Sequence, residues 1–178
     1  MVREILPIAT ERLLLRRFER GDLPIFVAYR NDPQIAKYQS WTSYSMSEAS
    51  KFFEQQSKLA FNMNETWFQI AMSRQSDDQL IGDVAVRFYD RGRSAEIGFT
   101  VAAAAQNCGF ATEAVAAVVR MLFLSLAKDR LSAIVDSRNH AGVKLLGKTG
   151  FHQSDVRAGI LFKGEKITEY EFTQIRPV

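Results

Sequence analysis

The sequence predicts a mixed α/β protein of the α+β class, folded as one domain over residues 1–178. Its 178 residues, of which 47% are hydrophobic, suffice for one buried core, and 10 glycines and 4 prolines are too few for a fibrous or low-complexity chain. Segments with the alternating pattern of strands and segments with helical spacing follow one another along the chain. This order predicts a sheet with helices packed against it.

The N-terminal part of the chain predicts a strand and then a short helix. The leucine-rich residues 12–18 lead into a turn, which indicates a strand. Asp22 is expected to cap a helix over Leu23–Arg30, with Pro24 tolerated in its first turn and residues 31–33 at its end.

A second helix is predicted over about residues 47–62, because Ser45 and Glu48 have the spacing of a capping box. The segment before it, residues 38–44, is rich in aromatic and hydroxyl side chains and has no structural period. We interpret this aromatic loop either as a packed connector or as a lid that faces a substrate, since loops supply many binding residues.

The middle of the chain predicts three antiparallel strands. Residues 67–72 and 80–88 have the pattern of strands, and the turn residues 76–78 join them into a hairpin. A second turn at residues 90–93 leads to a third strand over residues 95–101.

A long helix is predicted next, over residues 111–127, because its apolar residues recur at helical spacing and define one broad face. The remaining elements are a strand over residues 131–135, a helix over 139–148 that ends at Gly150, and two paired strands over 152–162 and 166–175.

Composition and charge exclude several classes of function. One cysteine and two histidines exclude an internal disulfide and disfavour a zinc site, so no metal is expected. Residues 114–119 form the longest apolar run, too short for a membrane span, and without a signal peptide we expect a cytoplasmic protein. The 23 basic and 20 acidic residues are dispersed, which disfavours nucleic-acid binding but suits a phosphate-bearing cofactor.

The segment between the strand that ends at Val101 and the long helix predicts an anion site. A loop of small residues that enters a helix leaves several amide N–H groups without partners in the helix, and the helix dipole adds to their attraction for an anion. Gly109 lets the backbone approach a ligand, and Ala111 keeps the first turn clear. We expect a phosphate, although the segment has neither a Walker sequence nor a dinucleotide fingerprint.

Gln106, Gly109 and Ala111 match a Gln/Arg-x-x-Gly-x-Gly/Ala loop. In this respect the chain resembles the superfamily of general acyl-CoA-dependent N-acetyltransferases, known as GNAT, in which that loop binds a pyrophosphate. Residues 139–151 are similar to a later segment of the family, and residues 10–13 are similar to the branch that includes ribosomal-protein-alanine N-acetyltransferases.

The resemblance covers about residues 10–175. It implies a strongly twisted mixed sheet, flanked by helices and split between the strands at residues 95–101 and 131–135, with acetyl-CoA in the cleft.

The resemblance also implies which residues bind the cofactor. The backbone of Phe99, Thr100 and Val101 is expected to pair with the pantetheine arm, and the amide of Val101 to polarise the thioester carbonyl. Asn139 is expected at the pantetheine end, and Lys144 within reach of a cofactor phosphate. The residues expected at the pyrophosphate are Gln106, Asn107, Cys108, Gly109, Phe110, Ala111 and Thr112.

Glu96 is our first candidate for the general base, acting on the amine through a water, although a salt-bridged residue on a strand fits equally well. Leu146 stands where many family members have a tyrosine that protonates the leaving thiolate, so another hydroxyl or water must do so. The hydroxyl candidates are Tyr38, Tyr44, Ser40 and Ser43. A covalent intermediate on Cys108 is disfavoured, because no histidine is near it in the sequence.

The implied activity is transfer of an acetyl group from acetyl-CoA to a primary amine, by direct attack in a ternary complex. The amine is either a protein N-terminus or a small molecule, and Ser40, Trp41, Tyr44 and residues 156–162 are the candidates for its binding surface. An acyl-CoA-binding module of the same fold with little or no turnover is the alternative. A homodimer is expected by resemblance only.

Overall fold

The computed structural model describes residues 5–177, which form an eight-stranded sheet with helices on both faces. The strands are β1 (Ile8–Ala9), β2 (Leu13–Arg16), β3 (Trp67–Arg74), β4 (Gln79–Tyr89), β5 (Ser94–Val101), β6 (Arg130–Asp136), β7 (His152–Phe162) and β8 (Glu165–Ile175). The α-helices are α1 (Leu23–Arg30), α2 (Pro33–Ala36), α3 (Met46–Lys58), α4 (Phe110–Leu124) and α5 (His140–Lys148), and short 3₁₀ helices lie at Arg20–Asp22 and Ala103–Ala105. The predicted mixed α/β class is confirmed.

The sheet has the strand order β1-β2-β3-β4-β5-β6-β8-β7, and each neighbouring pair is antiparallel except β5 and β6. Those two parallel strands pair only where residues 94–96 lie beside residues 130–132. Farther along, β6 continues to pair with β8 as far as Asp136, whereas β5 continues to pair with β4. The sheet is therefore split between β5 and β6, as the resemblance implied.

Each face of the sheet carries its own apolar core, because successive side chains of a strand point to opposite faces. On one face α4 packs Val115, Val118 and Leu122, all fully buried, against the strands. On the other face lie α1 and α3, where Phe26 of α1 stacks on Phe52 of α3 with ring centroids 4.7 Å apart. The helices on both sides hold the strands next to the split in a fixed position.

The predicted helix over Leu23–Arg30, ended by residues 31–33, is confirmed. Asp22 occupies its N-cap position, but the prediction that its side chain caps the helix is wrong, because the buried carboxylate accepts hydrogen bonds from the Arg16 guanidinium at 2.7 and 3.0 Å and from the Glu19 amide at 2.7 Å. A separate short helix that was not predicted follows α1. The Asp32 carboxylate accepts a 2.9 Å hydrogen bond from the Gln34 amide and so starts α2, a helix too short to have a sequence period.

The capping box is confirmed, since the Ser45 hydroxyl accepts from the Glu48 amide and the Glu48 carboxylate accepts from the Ser45 amide. The predicted end of that helix near residue 62 is wrong. At Leu59 the backbone becomes extended, and Phe61 turns into the core, where its ring meets that of Phe68 edge-on at 4.7 Å. The other predicted strands and helices are confirmed, with small shifts at their ends. No helix within residues 5–177 is long and apolar enough to cross a membrane.

Candidate active site

A cleft of about 490 Å³ opens where β5 diverges from β6. Its walls come from the end of β5, the loop before α4 with the first turn of that helix, the N-terminal part of α5, and α2 with the residues after it. A narrower slot of about 120 Å³ lies between the two diverging strands and shares Tyr38, Gln39, Phe99 and Asn139 with the cleft. The cleft and the slot therefore adjoin along the split in the sheet.

Most of the residues predicted for the cofactor line this cleft: Phe99, Thr100, Val101, Gln106, Asn107, Gly109, Ala111, Thr112, Asn139 and Lys144. Cys108 and Phe110 are not among the lining residues. The Cys108 side chain is exposed, and the ring of Phe110 lies against the guanidinium of Arg12, 4.5 Å from its centroid.

The free edge of β5 presents backbone groups to the cleft. The amide of Ala102 donates to the carbonyl of Ile81 in β4 at 2.9 Å, and hydrogen bonds to one neighbour alternate along an antiparallel strand. The N–H groups of Val101 and Phe99 therefore point away from β4, toward the split. The side chain of Gln106 donates to the carbonyl of Val101 at 3.0 Å, which ties the end of the strand to the loop.

The loop leads into α4 through a left-handed turn. Asn107 and Gly109 have φ angles of 59° and 80°, and Gly109 occupies the N-cap position. The first bond of the helix joins the Glu113 amide to the Gly109 carbonyl at 3.0 Å, so the N–H groups of residues 110–112 have no partner within the helix. A Cβ at position 109 would lie 3.3 Å from a nitrogen of Arg12, which adds to the reasons for glycine.

Asn139 caps α5 at the opposite wall of the cleft, because its side-chain oxygen accepts a 3.0 Å hydrogen bond from the Gly142 amide. A Cβ at position 142 would come within 2.9 Å of the same asparagine side chain. The cap therefore explains why glycine stands at position 142. Lys144, one turn farther along α5, lines the cleft with its exposed side chain.

Glu96 lies at the closed end of the split, where β5 still pairs with β6, and lines neither the cleft nor the slot. Its side chain is 21% exposed and lies 3.7 Å from the guanidinium of Arg87. Burial raises the pKa of Glu96, the charge of Arg87 acts against that rise, and the charge of Glu171 adds to it. A carboxylate held in this way accepts a proton more readily than one in water.

Of the aromatic loop, Tyr38 and Gln39 line both the cleft and the slot, whereas Ser40, Trp41 and Tyr44 line neither. The indole N–H of Trp41 donates to the carbonyl of Arg30 at 3.0 Å, and the guanidinium of Arg30 lies 3.8 Å from a Trp41 ring centroid. Tyr44 packs against the core beneath α1 and α3. The interpretation as a packed connector therefore holds for Trp41 and Tyr44, whereas a substrate-facing role for Tyr38 and Gln39 stays a prediction.

The lining residues that sequence reasoning missed include two from α2 and two carboxylates from the slot. Gln34 and Ile35 belong to α2, and their capping residue Asp32 is the signal that could have located them. Asp136 and Glu169 line the slot from β6 and β8, and they are paired with each other in the strand register. Nothing in the sequence marks that pairing. Within residues 5–177, no group of three or more His, Cys, Asp or Glu side chains could hold a metal ion.

Comparisons with known proteins identify the class to which this fold and cleft belong. The model of the acetyltransferase (GNAT) domain matches residues 12–152. The N-acetyltransferase p20 of Bacillus licheniformis, itself uncharacterized, is 30% identical over 171 residues, which are 94% of each chain. The chain therefore belongs to the GNAT acetyltransferase family, as the sequence resemblance indicated, and is an acetyl-transferring enzyme.

Two solved structures share the fold at low sequence identity. A spermidine N-acetyltransferase from Vibrio cholerae, in complex with coenzyme A and spermine, has a TM-score of 0.81 at 21% identity and covers 94% of this chain and 97% of its own. A ribosomal alpha-N-protein acetyltransferase, in complex with coenzyme A, has a TM-score of 0.83 at 14% identity and covers 94% and 96%. The fold is thus common to enzymes that are named for different acceptors.

Proposed function

We propose that the protein transfers the acetyl group of acetyl-CoA to a primary amine by direct attack in a ternary complex. The observation that carries this proposal is the series of backbone N–H groups that starts on the free edge of β5 and ends at the first turn of α4. A strand edge suits the amide groups of a pantetheine arm, and a helix N-terminus suits a pyrophosphate. Both lie along one cleft.

The residues of the cleft suit the pantetheine arm and the phosphates of coenzyme A. The Phe99 and Val101 backbone would pair with the pantetheine arm, whereas the Thr100 backbone faces β4 and Thr100 would only form part of the cleft wall. The loop over residues 106–112 would hold the pyrophosphate, with Lys144 near a phosphate and Asn139 at the pantetheine end. When bound, acetyl-CoA supplies a thioester with an electrophilic carbonyl and a thiol leaving group.

The chain itself supplies three groups for the transfer. The N–H of Val101 would donate to the carbonyl oxygen as negative charge develops there, which is worth about 3 to 4 kcal/mol for one such donor in other enzymes. Glu96 would take a proton from the amine through a water, which is consistent with its raised pKa and its distance from the cleft. Tyr38 would protonate the departing thiolate, because it alone of the four hydroxyl candidates lines the cleft.

The acceptor would approach from the slot. Tyr38 and Gln39 lie at its junction with the cleft, and Asp136 and Glu169 provide carboxylate oxygens that can accept hydrogen bonds from an amine. The Asp136 carboxylate is already held by Arg138 at 2.7 Å, whereas the Glu169 carboxylate is 3.6 Å from Arg157. A small-molecule amine and a protein N-terminus both fit this chemistry.

The activity is tested by thiol release from acetyl-CoA with a panel of acceptors. The panel contains a polyamine, an unblocked peptide and an amino acid amide, each beside its N-acetylated form as the matched control. We expect thiol release with at least one free amine and none with its blocked form, and a product heavier by one acetyl group. Thiol release at the same rate with free and blocked amines would contradict the proposal. The homodimer, the single-domain boundary and the cytoplasmic location stay predictions.

A further inference from the structure

Arg12 contacts the predicted pyrophosphate loop at three points. Its Nε donates to the carboxylate of Glu113 at 2.7 Å, and one terminal nitrogen donates to the carbonyl of Cys108 at 2.9 Å. Its guanidinium also lies over the ring of Phe110, 4.5 Å from the centroid. The residue immediately precedes β2 and is about a hundred positions away in the sequence, so these contacts join the loop to the sheet.

The two residues to which the Arg12 side chain donates lie on either side of the part of the loop that faces the cleft. Cys108 lies just before Gly109, and Glu113 lies just after Thr112, so one side chain binds both ends of the segment 109–112. The segment contains the left-handed Gly109 and the N–H groups that have no partner within α4. Arg12 therefore fixes the segment without lining the cleft itself.

The Glu113 carboxylate accepts hydrogen bonds from other groups besides the Arg12 side chain. These donors are the Thr10 hydroxyl at 2.6 Å and the backbone N–H of Arg12 at 2.8 Å. Burial acts to raise the pKa of Glu113, but these hydrogen bonds outweigh it and hold the pKa below its ordinary value. The carboxylate is thus ionised in the first turn of α4, where an unpaired negative charge would repel a phosphate.

We propose that Arg12 is a positioning residue for the cofactor: by binding Cys108 and Glu113 together, it holds the loop in the shape that receives the pyrophosphate and neutralises the carboxylate beside it. The inference rests on the proposed function, because it needs a pyrophosphate in the cleft. The inference gives a role to a residue within the segment 10–13, which resembles the family although it is far in the sequence from the predicted cofactor loop.

The test compares two acyl donors in the full-length protein, acetyl-CoA and S-acetylpantetheine, which lacks the phosphates. In Arg12→Gln we expect kcat/KM for acetyl-CoA to fall about tenfold or more, mainly through KM, as befits the loss of charged hydrogen bonds. The value for S-acetylpantetheine should not change. Arg12→Lys keeps the charge but loses the planar set of donors, so its kcat/KM for acetyl-CoA should lie between those of the wild type and Arg12→Gln. Arg120→Gln, an exposed arginine on α4, is the control.

Equal losses with both donors would show a general structural effect and overturn the inference, and so would unchanged kinetics with acetyl-CoA. If Arg12→Gln does not fold, Arg12→Lys is compared with the wild type on both donors, and the same two outcomes decide. The proposed function fails separately: in that case the wild-type protein shows no thiol release from acetyl-CoA that depends on a free amine.

Discussion

Glu96 and Tyr38 have different roles in the proposed reaction. Glu96 lies on a strand at the closed end of the split, and Tyr38 follows α2 and lines both the cleft and the slot. The Tyr38 hydroxyl donates to the carbonyl of Arg138 at 3.3 Å, a long hydrogen bond that a thiolate can replace. We propose the first as the base and the second as the acid, so substitution of each should impair a different proton transfer.

The dependence of kcat on pH tests the role of Glu96. Glu96 accepts a proton only when ionised, so kcat should fall as the pH drops through its raised pKa, and Glu96→Gln should lose this acid limb together with about 100-fold or more of the rate. Tyr38→Phe removes the proposed proton donor and should lower kcat. Neither change should alter the affinity for coenzyme A. An acid limb that survives in Glu96→Gln, or an unchanged kcat in Tyr38→Phe, removes that residue from the mechanism.

At the scale of elements, α1 is bound to the sheet by a buried polar pair as well as by apolar packing. The hydroxyl of Tyr29 donates to the Asp83 carboxylate on β4 at 2.5 Å, and both side chains are buried. Burial raises the pKa of Asp83, although the charge of Arg30 and the hydrogen bond from Tyr29 act in the other direction. In the strand register Asp83 is the partner of Thr100, which lines the cleft.

This pair gives the folded protein a pH dependence with a definite sign. Because the pKa of Asp83 is higher in the folded than in the unfolded chain, its contribution to stability is greatest at low pH and is lost as the pH rises through the raised pKa. The slope from one such group reaches about 1.4 kcal/mol per pH unit. The free energy of unfolding is measured with urea at a series of pH values. Asp83→Asn should reduce the slope with which this free energy falls as the pH rises, whereas Asp155→Asn, at an exposed position on β7, should leave the slope unchanged.

The elements also show what could be predicted from the sequence. The long strands, the hairpins and α4 follow from local periodicity, and the loop that lines the cleft follows from its place between a strand and a helix. The α2 helix could not be predicted, because four residues are too few to show a helical period. Asp22 could not be recognised as the partner of Arg16, because an aspartate before a helix can serve either as its cap or as part of an ion pair. The sequence also could not distinguish Tyr38, which lines the cleft, from Trp41, which donates to the Arg30 carbonyl, because the conformation of the loop decides where each side chain points.

For the whole molecule, the cofactor should stabilise the folded state. At a concentration about 100 times the dissociation constant, acetyl-CoA should raise the melting temperature by about 5 to 10 °C, whereas NAD and ATP should not. Gly109→Arg should abolish the shift, because a side chain there fills the approach to the loop. Gly164→Arg is the matched control, since its φ of 83° imposes the same backbone strain at the β7–β8 turn. A retained shift in Gly109→Arg would exclude the loop as the cofactor site.

The short contact between β5 and β6 divides the sheet into two panels, one from β1 to β5 and the other containing β6, β8 and β7. In the proposed function the β5 edge, with the loop and helix that follow it, would serve the acyl donor, while the second panel contributes Asp136 and Glu169 to the slot. We therefore expect substitutions of the slot residues in the second panel to change the choice of acceptor more than the binding of the donor.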